Sequence, residues 1–527
     1  IACPTSLLIT SSFIACQLIM EFYYHILLAL VPLLYLLIRW FRRHRGLRLP
    51  PGPWQLPVIG SLHHLGGDLP HRTIRDLSRR HGPVMFLKLG GIPVVVASSR
   101  EAAEDVMRTN DAVLASRPQT PTVKLLTKQR HDIVLAKNGE HWRQLRKICV
   151  HELLSARRVQ SFRPIREQEA MRLVQAVAAS SAASDSDSVN LDKLLAAHVN
   201  DVIVRAVVGD GEVDDRETLL RLIAKAIELV GSFRLADIFP SSRIARALSS
   251  RAMHRVEVYV DEIFTFMDGI ISQHMDRRSS MPHQNQHPDK DLIDVLLRVQ
   301  EENSLRLPIS KGTIKGVLFD LLSAGSETAT SVLCWAMAEL MRNPAIMSRA
   351  QSEVREAFVG QMKVTEEGLG KLSYLQCVIK ETLRLHTPGP FGLPRESQEA
   401  CRVMGYDVPK GTMVLVNAWA ISRDPEYWDE PEMFKPERFV TDMRDFKGRD
   451  YEFTPFGAGR RICPGMLFGV ASIDLALAHL LFYFDWNLME GKTPSELDMT
   501  ETMGITAGRK EELWLKPTLQ ASFDSVN

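Results

Sequence analysis

The stretch FGAGRRICPG, from Phe456 to Gly465, constrains the fold more than any other part of this sequence. It sets one cysteine among glycines and arginines, and a long apolar run follows it directly. A sulfur at this point feels the positive end of the helix that the apolar run predicts. The glycines allow turns that aim backbone N–H groups at the sulfur, and Phe456 can shield it from water. The pattern therefore indicates a buried, hydrogen-bonded thiolate at Cys463, with positive charge added by Arg460 and Arg461.

The residues around Cys463 allow three interpretations of its role. A structural cysteine in a turn is the commonest role, but that role needs neither the glycines nor the arginines. A dinucleotide-binding loop is suggested by Gly457 and Gly459, although the third glycine and a surrounding βαβ unit are missing. The third interpretation is a metal-ligating thiolate. One cysteine without partner ligands does not hold zinc or an iron–sulfur cluster, whereas haem iron accepts a single axial thiolate because the porphyrin supplies four bonds.

Composition narrows the class of protein. The seven cysteines are widely spaced and include no C-x-x-C pair, which disfavours a disulfide framework and a closed zinc site. The bulk of the chain is therefore expected in a reducing compartment. A net charge of +1 gives no overall field for nucleic acid, so no nucleic-acid partner is expected. Hydrophobic residues make up 45% of the chain, which is enough for a large core.

An apolar run near the start of the chain, Phe22 to Phe41, predicts a transmembrane helix. Its 20 residues would span ~30 Å as a helix, about the thickness of one bilayer core. Arginines follow at positions 39, 42, 43, 45 and 48, and positive charge after an apolar span keeps that side in the cytosol. A cleaved signal peptide is the alternative, but it would carry its charges before the run and a small-residue cleavage site after it.

The chain is expected to divide into an anchor, an arm and one body. Residues 20–41 are the predicted anchor, and residues 42–60 form a basic and proline-rich arm, because LPPGPWQLPVIG holds four prolines that prevent a helix. Residues 61–527 are predicted as a single domain without an obvious break. Because Met20 opens directly onto the anchor, we expect residues 1–19 to be an upstream artefact or extension.

Hydrophobic periodicity predicts a mainly α body with small β-sheets. The longest helical candidate is Ile309–Arg342, and a second apolar helix is predicted at Gly465–Phe484. Two strands around Gly90-Gly91 are predicted within Pro83–Ser99, and a further strand at Thr412–Asn417. Polar loops are predicted at 180–190 and 277–291.

The segment AGSET, Ala324–Thr328, lies in the middle of the long predicted helix. A mid-helix glycine costs ~1 kcal/mol relative to alanine, so Gly325 indicates a close approach to the backbone, for which a ligand is one reason. Thr328 can donate to the carbonyl of Ala324 and bend the helix, and Glu327 is an unusual charge in an apolar stretch. A kinked core helix with an outward-facing glutamate is an equally good interpretation of this segment alone.

Two other segments place charged residues at helical spacing. HWRQLRK sets Trp142 and Arg146 four residues apart, and both side chains donate hydrogen bonds suited to carboxylates. An ordinary surface helix is the commoner alternative. KETLRL sets Glu381 and Arg384 three residues apart, which in isolation is a common exposed pair worth a few tenths of a kcal/mol.

Five residues of the cysteine stretch fit the pattern F-x-x-G-x-R-x-C-x-G, and on them the sequence resembles the cytochrome P450 superfamily. These residues are Phe456, Gly459, Arg461, Cys463 and Gly465. The LPPGP arm and PFGAGRRICPG are similar to plant microsomal (A-type) members of the family. The resemblance runs from the arm to the C-terminus. It implies the cytochrome P450 fold, mainly α with small β-sheets, behind an N-terminal transmembrane anchor helix.

The resemblance implies haem b as the cofactor and Cys463 as the thiolate ligand of its iron. The residues implied to contact the haem, several of them through its propionates, are Trp142, Arg146, Arg395, Phe456, Arg461, Cys463 and Gly465. Glu381 and Arg384 resemble the E-x-x-R motif of the family, and Arg438 of PERF supplies the third partner of a structural ion network. Glu327 and Thr328 match the oxygen-activating motif and are implied as catalytic, while Ala329 departs from the hydroxyl residue common in relatives.

The implied activity is that of a haem-thiolate monooxygenase, which inserts one oxygen atom from O₂ into a lipophilic small molecule. The positions that match substrate-contact segments are Phe319, Asp320, Ser323, Ala324, Phe391, Leu393 and Ile505. Most are apolar or small, which predicts a largely neutral substrate, a terpenoid of plant specialised metabolism. The alternatives are a phenolic, indole or alkaloid substrate, and a thiolate-haem isomerase or peroxygenase, which would not need Glu327 and Thr328. Asp320 either binds a polar group of the substrate or stabilises its helix.

The chain carries no flavin or nicotinamide fingerprint, so the electrons must come from another protein. The resemblance implies a separate NADPH-dependent flavoprotein reductase in the endoplasmic reticulum membrane, with the catalytic domain on the cytosolic side. Arg143, Lys147 and Arg460 are candidates for a cationic docking face for that reductase, and ordinary solvated charges are the alternative.

Overall fold

The computed structural model describes residues 46–520, except 68, 128–131, 185, 211–215, 232–233, 281–289, 303–305 and 362, and also Tyr24, Leu30 and Val31. The chain divides into two compact units, Ile1–Leu49 and Pro50–Asn527. The predicted anchor at 20–41 and the upstream residues 1–19 lie outside the described residues apart from the three named. Tyr24, Leu30 and Val31 have helical backbone, and each exposes more than half of its surface.

Helices dominate the second unit. In chain order they are α1 (Pro70–His81), α2 (Arg100–Glu104), α3 (Asp111–Leu114), α4 (Pro121–Leu126), α5 (Glu140–Ile148), α6 (Ala156–Ser161), α7 (Arg163–Ala182), α8 (Leu191–Val208), α9 (Arg216–Gly231), α10 (Leu235–Ile238), α11 (Arg243–Ser280), α12 (Leu292–Glu301), α13 (Lys311–Arg342), α14 (Pro344–Ala357), α15 (Ser373–Leu385), α16 (Ala418–Ile421), α17 (Arg438–Thr441) and α18 (Met466–Tyr483). Short 3₁₀ turns lie at Leu62–Leu65, Glu366–Lys371, Gly459–Arg461 and Pro494–Glu496, and π-helical turns at Asp105–Thr109 and Cys149–Leu153.

The strands form small sheets. They are β1 (Val84–Leu89), β2 (Ile92–Ala97), β3 (Val189–Asn190), β4 (Arg395–Glu396), β5 (Cys401–Val403), β6 (Tyr406–Val408), β7 (Met413–Val416), β8 (Phe484–Leu488), β9 (Glu501–Met503), β10 (Ala507–Arg509) and β11 (Trp514–Leu519). Among the described residues the orders are β1-β2-β7-β4, β3-β11-β8, β5-β6 and β9-β10. Only β2 and β7 pair in parallel, and the other pairs are antiparallel. The predicted class, mainly α with small sheets, is confirmed.

The hairpin predicted around Gly90-Gly91 is confirmed. β1 and β2 pair antiparallel from Val84 opposite Ala97 to Leu89 opposite Ile92. Gly90 has a φ of +60°, and a Cβ there would come within 2.4 Å of a methyl carbon of Ile238, so only glycine fits this turn. The strand predicted at 412–417 is confirmed as β7. Pro51 of the proline-rich arm lies against β1, because the N–H of Phe86 donates to the carbonyl of Pro51 at 2.8 Å.

The core of the second unit is built around α13, whose predicted position is confirmed. Ser310 caps its N-terminus by accepting a hydrogen bond from the N–H of Thr313. α13 packs against α8 and α18, and α7 contacts both of those helices. Within the described residues, α18 alone is long and apolar enough to cross a membrane, but 56% of it is buried inside the fold. It therefore holds the place of a core helix.

The prediction that Ile309–Arg342 is the longest helix is wrong. α11 has 38 residues and α13 has 32. The apolar periodicity of α11 is blurred because Ile244 and Leu248 are exposed, at 74% and 70% of their surface, rather than turned to the core. The polar loops predicted from 180 and from 277 also begin later, because α7 continues to Ala182 and α11 to Ser280.

Candidate active site

Cys463 sits in a tight loop that leads into α18. Its N–H donates to the carbonyl of Phe456 at 2.9 Å, and the N–H groups of Gly465 and Met466 donate to its sulfur. Gly459 has a φ of +69°, and a Cβ there would meet the carbonyl oxygen of Met107 at 2.3 Å. The loop therefore needs glycine at this position, and its fold aims backbone donors at the sulfur as the sequence predicts.

Burial of its surroundings disfavours the charged form of Cys463. It raises the pKa of Cys463 above the ordinary value, and the two N–H donors together with the nearby charge of Arg146 only partly oppose that rise. Burial thus opposes the thiolate that the sequence predicts, whereas the two N–H donors and Arg146 favour it. A metal ion bound to the sulfur would hold it deprotonated, because a coordinating thiol loses its proton outright.

Four arginines, here called the arginine cluster, lie close enough beside this loop for their charges to interact: Arg117, Arg146, Arg395 and Arg461. The pKa of each is lowered, in every case first by burial, and for Arg117 and Arg461 also by the neighbouring guanidinium groups. Positive charge is thus concentrated and desolvated at this point of the fold.

Arg461 connects the cysteine loop to two other segments. Its guanidinium donates to the carbonyls of Ala115, Ile133 and Ala136, at 3.0 Å for Ile133. The same group lies 3.9 Å from the centre of the Trp142 ring, a cation–π distance. Burial lowers the pKa of Arg461 to about 9, and the charge of Arg395 adds to that effect.

The other members of the cluster hold different segments. Arg146 donates to the carbonyl of Ile462, the residue before the cysteine. Arg395 bonds the carboxylate of Asp111 and the carbonyl of Ala458, each at 2.9 Å. Among the described residues, Asp111 is the sole carboxylate that forms an ion pair with a cluster arginine.

The residues present fit a haem group. Two more acids, Asp132 and Asp320, lie near the cluster, but burial raises the pKa of both and so reduces their negative charge. Positive charge in the cluster therefore exceeds the negative charge that the chain supplies. Two carboxylates of a ligand would balance it, as the propionates of haem do, and Cys463 would provide the axial sulfur.

The middle of α13 faces open space. The flanking stretches 316–320 and 331–341 are buried, yet Ala324 and Thr328 are exposed, and the residues between them are partly exposed. The hydroxyl of Thr328 donates to the carbonyl of Ala324 at 2.9 Å, as the sequence predicts. Residues 462–471, which include the first turns of α18, are also partly exposed, whereas the rest of that helix is mostly buried. Both helices therefore have accessible residues where the sequence places the reaction.

Gly325 lies where α13 packs against α8. A Cβ at this position would meet the Cδ1 atom of Ile203 on α8 at 2.7 Å. The glycine thus allows two core helices to pack closely at this point. Glu327 is partly exposed, and its side chain makes no hydrogen bond or ion pair with any described residue. Ala329 is buried, and the hydroxyl of Thr330 donates to the carbonyl of Ser326 at 2.8 Å, within the helix.

The residues assigned to the structural network lie in contact. Arg384 donates to both oxygens of Glu381, at 2.8 and 2.9 Å, and Arg438 donates to the same carboxylate at 3.0 Å. Glu381 and Arg384 are fully buried. Backbone carbonyls, among them those of Ser422 and Pro431, accept from the remaining N–H groups of Arg384. We call Glu381, Arg384 and Arg438 the brace.

The predicted pocket residues fall into two groups. Phe319, Ser323 and Ala324 lie on α13 with the ring of Phe319 5.9 Å from that of Phe264, and the hydroxyl of Ser323 donates to the carbonyl of Phe319. Phe391, Leu393 and Ile505 lie on loops and are partly exposed. Asp320 is buried, and its Oδ2 atom accepts from the backbone N–H groups of Ile133 and Val134 at 2.6 and 3.0 Å.

Sequence reasoning missed two residues of the site. Arg117 belongs to the arginine cluster and donates to the carbonyls of Val134, Leu393 and Pro394. Asp132 accepts from two backbone N–H groups beside it. An arginine before a proline, as in Arg117-Pro118, carries no signal of its own. Its partners are distant in sequence, so its place in the cluster depends on the folded chain.

Comparison with known proteins identifies the family. The sequence model of the cytochrome P450 family matches residues 50–514. This chain belongs to the cytochrome P450 superfamily. It is 44% identical to desmethyl-deoxy-podophyllotoxin synthase of Sinopodophyllum hexandrum over 93% of this chain and 96% of that protein. It is 43% identical to premnaspirodiene oxygenase of Hyoscyamus muticus over 92% and 96%. A zebra fish cytochrome P450 solved with abiraterone shares the fold, with a TM-score of 0.72, 24% identity and coverage of 86% of this chain and 100% of that one.

These relatives make the chain a plant A-type cytochrome P450 and a monooxygenase. Its cofactor is haem b, and its electrons come from NADPH through a separate reductase. O₂ and a lipophilic small molecule are its substrates. The alternatives drawn from the cysteine stretch alone, a structural turn or a dinucleotide loop, are thereby excluded.

Proposed function

We propose that this cytochrome P450 hydroxylates a largely neutral, lipophilic terpenoid in plant specialised metabolism. The observation that carries the proposal is the character of the residues at the predicted substrate-contact positions. Phe319, Ala324, Leu393 and Ile505 have apolar or small side chains, which favours a hydrocarbon-rich substrate. The name of the Hyoscyamus muticus relative states that it oxygenates a diene, which is of the same chemical kind.

Asp320 supports a neutral substrate over a basic one. A carboxylate free in the pocket would suit the amine of an alkaloid, but Asp320 already accepts two backbone hydrogen bonds. Burial and the neighbouring Asp132 raise its pKa well above the ordinary value, so it is a poor anion for an ammonium group. An alkaloid, phenolic or indole substrate remains the second choice, to be tested beside terpenoids.

Cys463 would hold the haem iron, and the arginine cluster would hold the propionate edge, with the ring of Trp142 packed beside Arg461. Bound haem supplies the activation of O₂ and the transfer of one oxygen atom to carbon. The protein supplies position, protons and the exclusion of water. Phe456 packs its ring 5.3 Å from that of Phe446 and helps to keep solvent from the sulfur.

Thr328 and Glu327 are the proposed proton-handling residues. The hydroxyl of Thr328 donates to Ala324, which leaves its oxygen lone pairs facing the open middle of α13 to accept from a bound water or substrate oxygen. Glu327 lacks a partner among the described residues, so its carboxyl group can exchange protons with solvent. An isomerase or peroxygenase would have no use for this pair, which favours the monooxygenase.

We also propose that the enzyme is held at the endoplasmic reticulum membrane by residues 20–41, with the body, residues 61–527, in the cytosol and 42–60 as the arm. The apolar sequence and the exposed, helical Tyr24, Leu30 and Val31 support this anchor. Arg143 and Lys147 are both exposed and lie one turn apart on α5, and the exposed Arg460 belongs to the cysteine loop. These three charges are the proposed docking face for the reductase.

The test uses the full chain in membranes with a plant reductase. Terpenoid, phenolic and alkaloid panels are screened by the Soret shift that accompanies binding, and the hits are tested for NADPH-dependent O₂ uptake and product formation. Hydroxylated terpenoid with matching O₂ uptake is the expected result. Turnover of alkaloids or phenolics without terpenoids would overturn the substrate class, and product formation without O₂ uptake would overturn the monooxygenase.

A further inference from the structure

The segment Asp132–Ala136 has no regular secondary structure, yet the backbone of residues 133–136 is fully bonded. The N–H groups of Ile133 and Val134 donate to Oδ2 of Asp320, at 2.6 and 3.0 Å. Those of Leu135 and Ala136 donate to Oδ1 of Asp132, at 2.6 and 2.7 Å. Two carboxyl groups thus bind four consecutive N–H groups. We call residues 132–136 the clamped loop.

The carbonyls of residues 133–136 in the clamped loop are bonded as well, and again by side chains. Arg461 donates to Ile133 and Ala136, and Trp142 also donates to Ile133, at 3.0 Å. Arg117 donates to Val134 at 3.1 Å. Gln119 donates to Leu135 at 3.0 Å. All eight backbone polar groups of residues 133–136 are therefore satisfied by side chains from outside their own four-residue run.

The hydrogen-bond partners of this loop fall into two chemical classes. Carboxyl groups take every N–H, and guanidinium, indole or amide groups take every carbonyl. One of the two carboxyl groups comes from α13, the helix that carries Thr328, whereas the donors Arg117 and Arg461 belong to the arginine cluster. The clamped loop is accordingly the direct physical link between the substrate-side helix and the proposed haem edge.

We propose that Asp320 and Asp132 are positioning residues, which fix the clamped loop so that its carbonyls hold Arg461 and Arg117 in place for the haem. The inference rests on the haem site proposed above and does not depend on the identity of the substrate. It assigns Asp320 to the support of the haem edge rather than to contact with substrate, the role given to it by sequence position.

Burial supports a positioning role. Asp320 and Asp132 expose 5% of their surface each, so neither is available for exchange with solvent. A buried carboxyl group that loses its N–H donors costs more than an exposed one, and buried N–H groups that lose their acceptor cost as much again. The loop and the two acids therefore stabilise one another in a single arrangement.

The test measures backbone hydrogen exchange in the peptide that covers 132–136, in holoenzyme whose reduced carbonyl complex shows the red-displaced thiolate band. Asp320→Ala removes the acceptor, and we expect about tenfold faster exchange at Ile133 and Val134. We also expect about tenfold faster transfer of haem to an acceptor globin, because Arg461 and Arg117 lose their fixed carbonyl partners. Asp320→Asn keeps an oxygen that accepts both N–H groups, so both rates should stay within about twofold of the parent.

Asp291→Ala is the matched control. Asp291 is a fully buried aspartate that likewise accepts a backbone hydrogen bond, from Asp294, but it caps α12. This variant loses a comparable carboxylate without touching the clamped loop. Unchanged exchange at 132–136 in Asp320→Ala, equal acceleration in Asp291→Ala, or an Asn variant as impaired as the Ala variant would each overturn the proposal. Loss of the thiolate band in the parent would instead refute the haem site itself.

Discussion

Two groups of buried arginines in this fold differ in what satisfies them. In the brace, one carboxylate accepts from Arg384 and Arg438, at 2.8, 2.9 and 3.0 Å, and carbonyls accept the rest. In the arginine cluster beside Cys463, four guanidinium groups share one paired carboxylate among the described residues, that of Asp111. The brace is complete in itself, whereas the cluster is short of negative charge. The difference teaches that a closed ion network marks scaffold and an open one marks a place for an anionic ligand.

Removal of the cysteine should have the largest effect on the open side of this comparison. Cys463→Ala leaves no axial sulfur, so we expect complete loss of the red-displaced band of the reduced carbonyl complex and of NADPH-dependent product formation. Cys377→Ala is the control, because Cys377 is a buried thiol on α15 that contacts neither the loop nor the cluster. If the thiolate band survived in Cys463→Ala, Cys463 would not be the haem ligand, and the cluster could not be distinguished from the brace as a ligand site.

Removal of a brace arginine should cost stability. Arg384→Ala leaves Glu381 buried with one partner fewer, and we expect a loss of about 3–5 kcal/mol in the free energy of unfolding. Arg349→Ala is the control, since Arg349 forms an exposed pair with Glu437 at 3.1 Å, and its loss should cost at most about 1 kcal/mol. Chemical denaturation of the holoenzymes measures both values, and equal losses would contradict the closed character of the brace.

A second closed group, around Glu501, should respond to acid. Burial by itself would raise the pKa of Glu501, but its hydrogen bond from His71 and the charge of Arg72 outweigh this and lower the pKa to about 2, from 4.5. The carboxylate therefore contributes about 3 kcal/mol of stability above pH 4.5, and this contribution is lost as pH falls from 4.5 towards 2.

The Glu501→Gln variant tests this directly. It removes the titrating group, so its free energy of unfolding should fall less steeply than that of the parent as the pH is lowered through this window. Denaturant titrations of both proteins at a series of pH values measure the difference. If the free energy of unfolding changed with pH equally in both proteins, Glu501 would not be ion-paired in solution.

The smallest expected effect is at the surface. Arg143→Glu reverses one charge of the proposed docking face, and we expect reductase-driven turnover to fall about two- to tenfold at low salt, with the deficit shrinking as salt rises. Arg221→Glu, at another exposed arginine with 62% of its side chain accessible, is the control. Equal turnover in the two variants would leave Arg143 as an ordinary solvated charge.

The sequence predicted what depends on neighbours along the chain. The loop at Cys463, the hairpin around Gly90 and the threonine bond to Ala324 all follow from residues a few positions apart. Contacts across the fold could not be predicted in this way. The partner of Asp320 lies 187 positions away, and that of Arg461 at Ile133 lies 328 positions away.

Two single residues also show that sequence motifs do not predict contacts across the fold. Gly325 fits a ligand-contact motif, yet its missing Cβ makes room for Ile203, which the motif does not contain. Arg117 joined the cluster although no local pattern distinguished it. In both cases the spacing within a motif identifies the residue type, and only the packing of α8 or of the clamped loop explains the reason for it.

The bonding of residues 133–136 has a consequence for variation among enzymes of this kind. Because side chains from elsewhere hold its backbone groups, the position of this segment does not depend on the partly exposed side chain of Val134. Val134 can be exchanged for other residues while the surrounding scaffold keeps its shape, whereas Ile133 and Leu135 pack with the hydrophobic core. Evolution, or an engineer, can thus reshape what this stretch presents to its surroundings without loosening the chain.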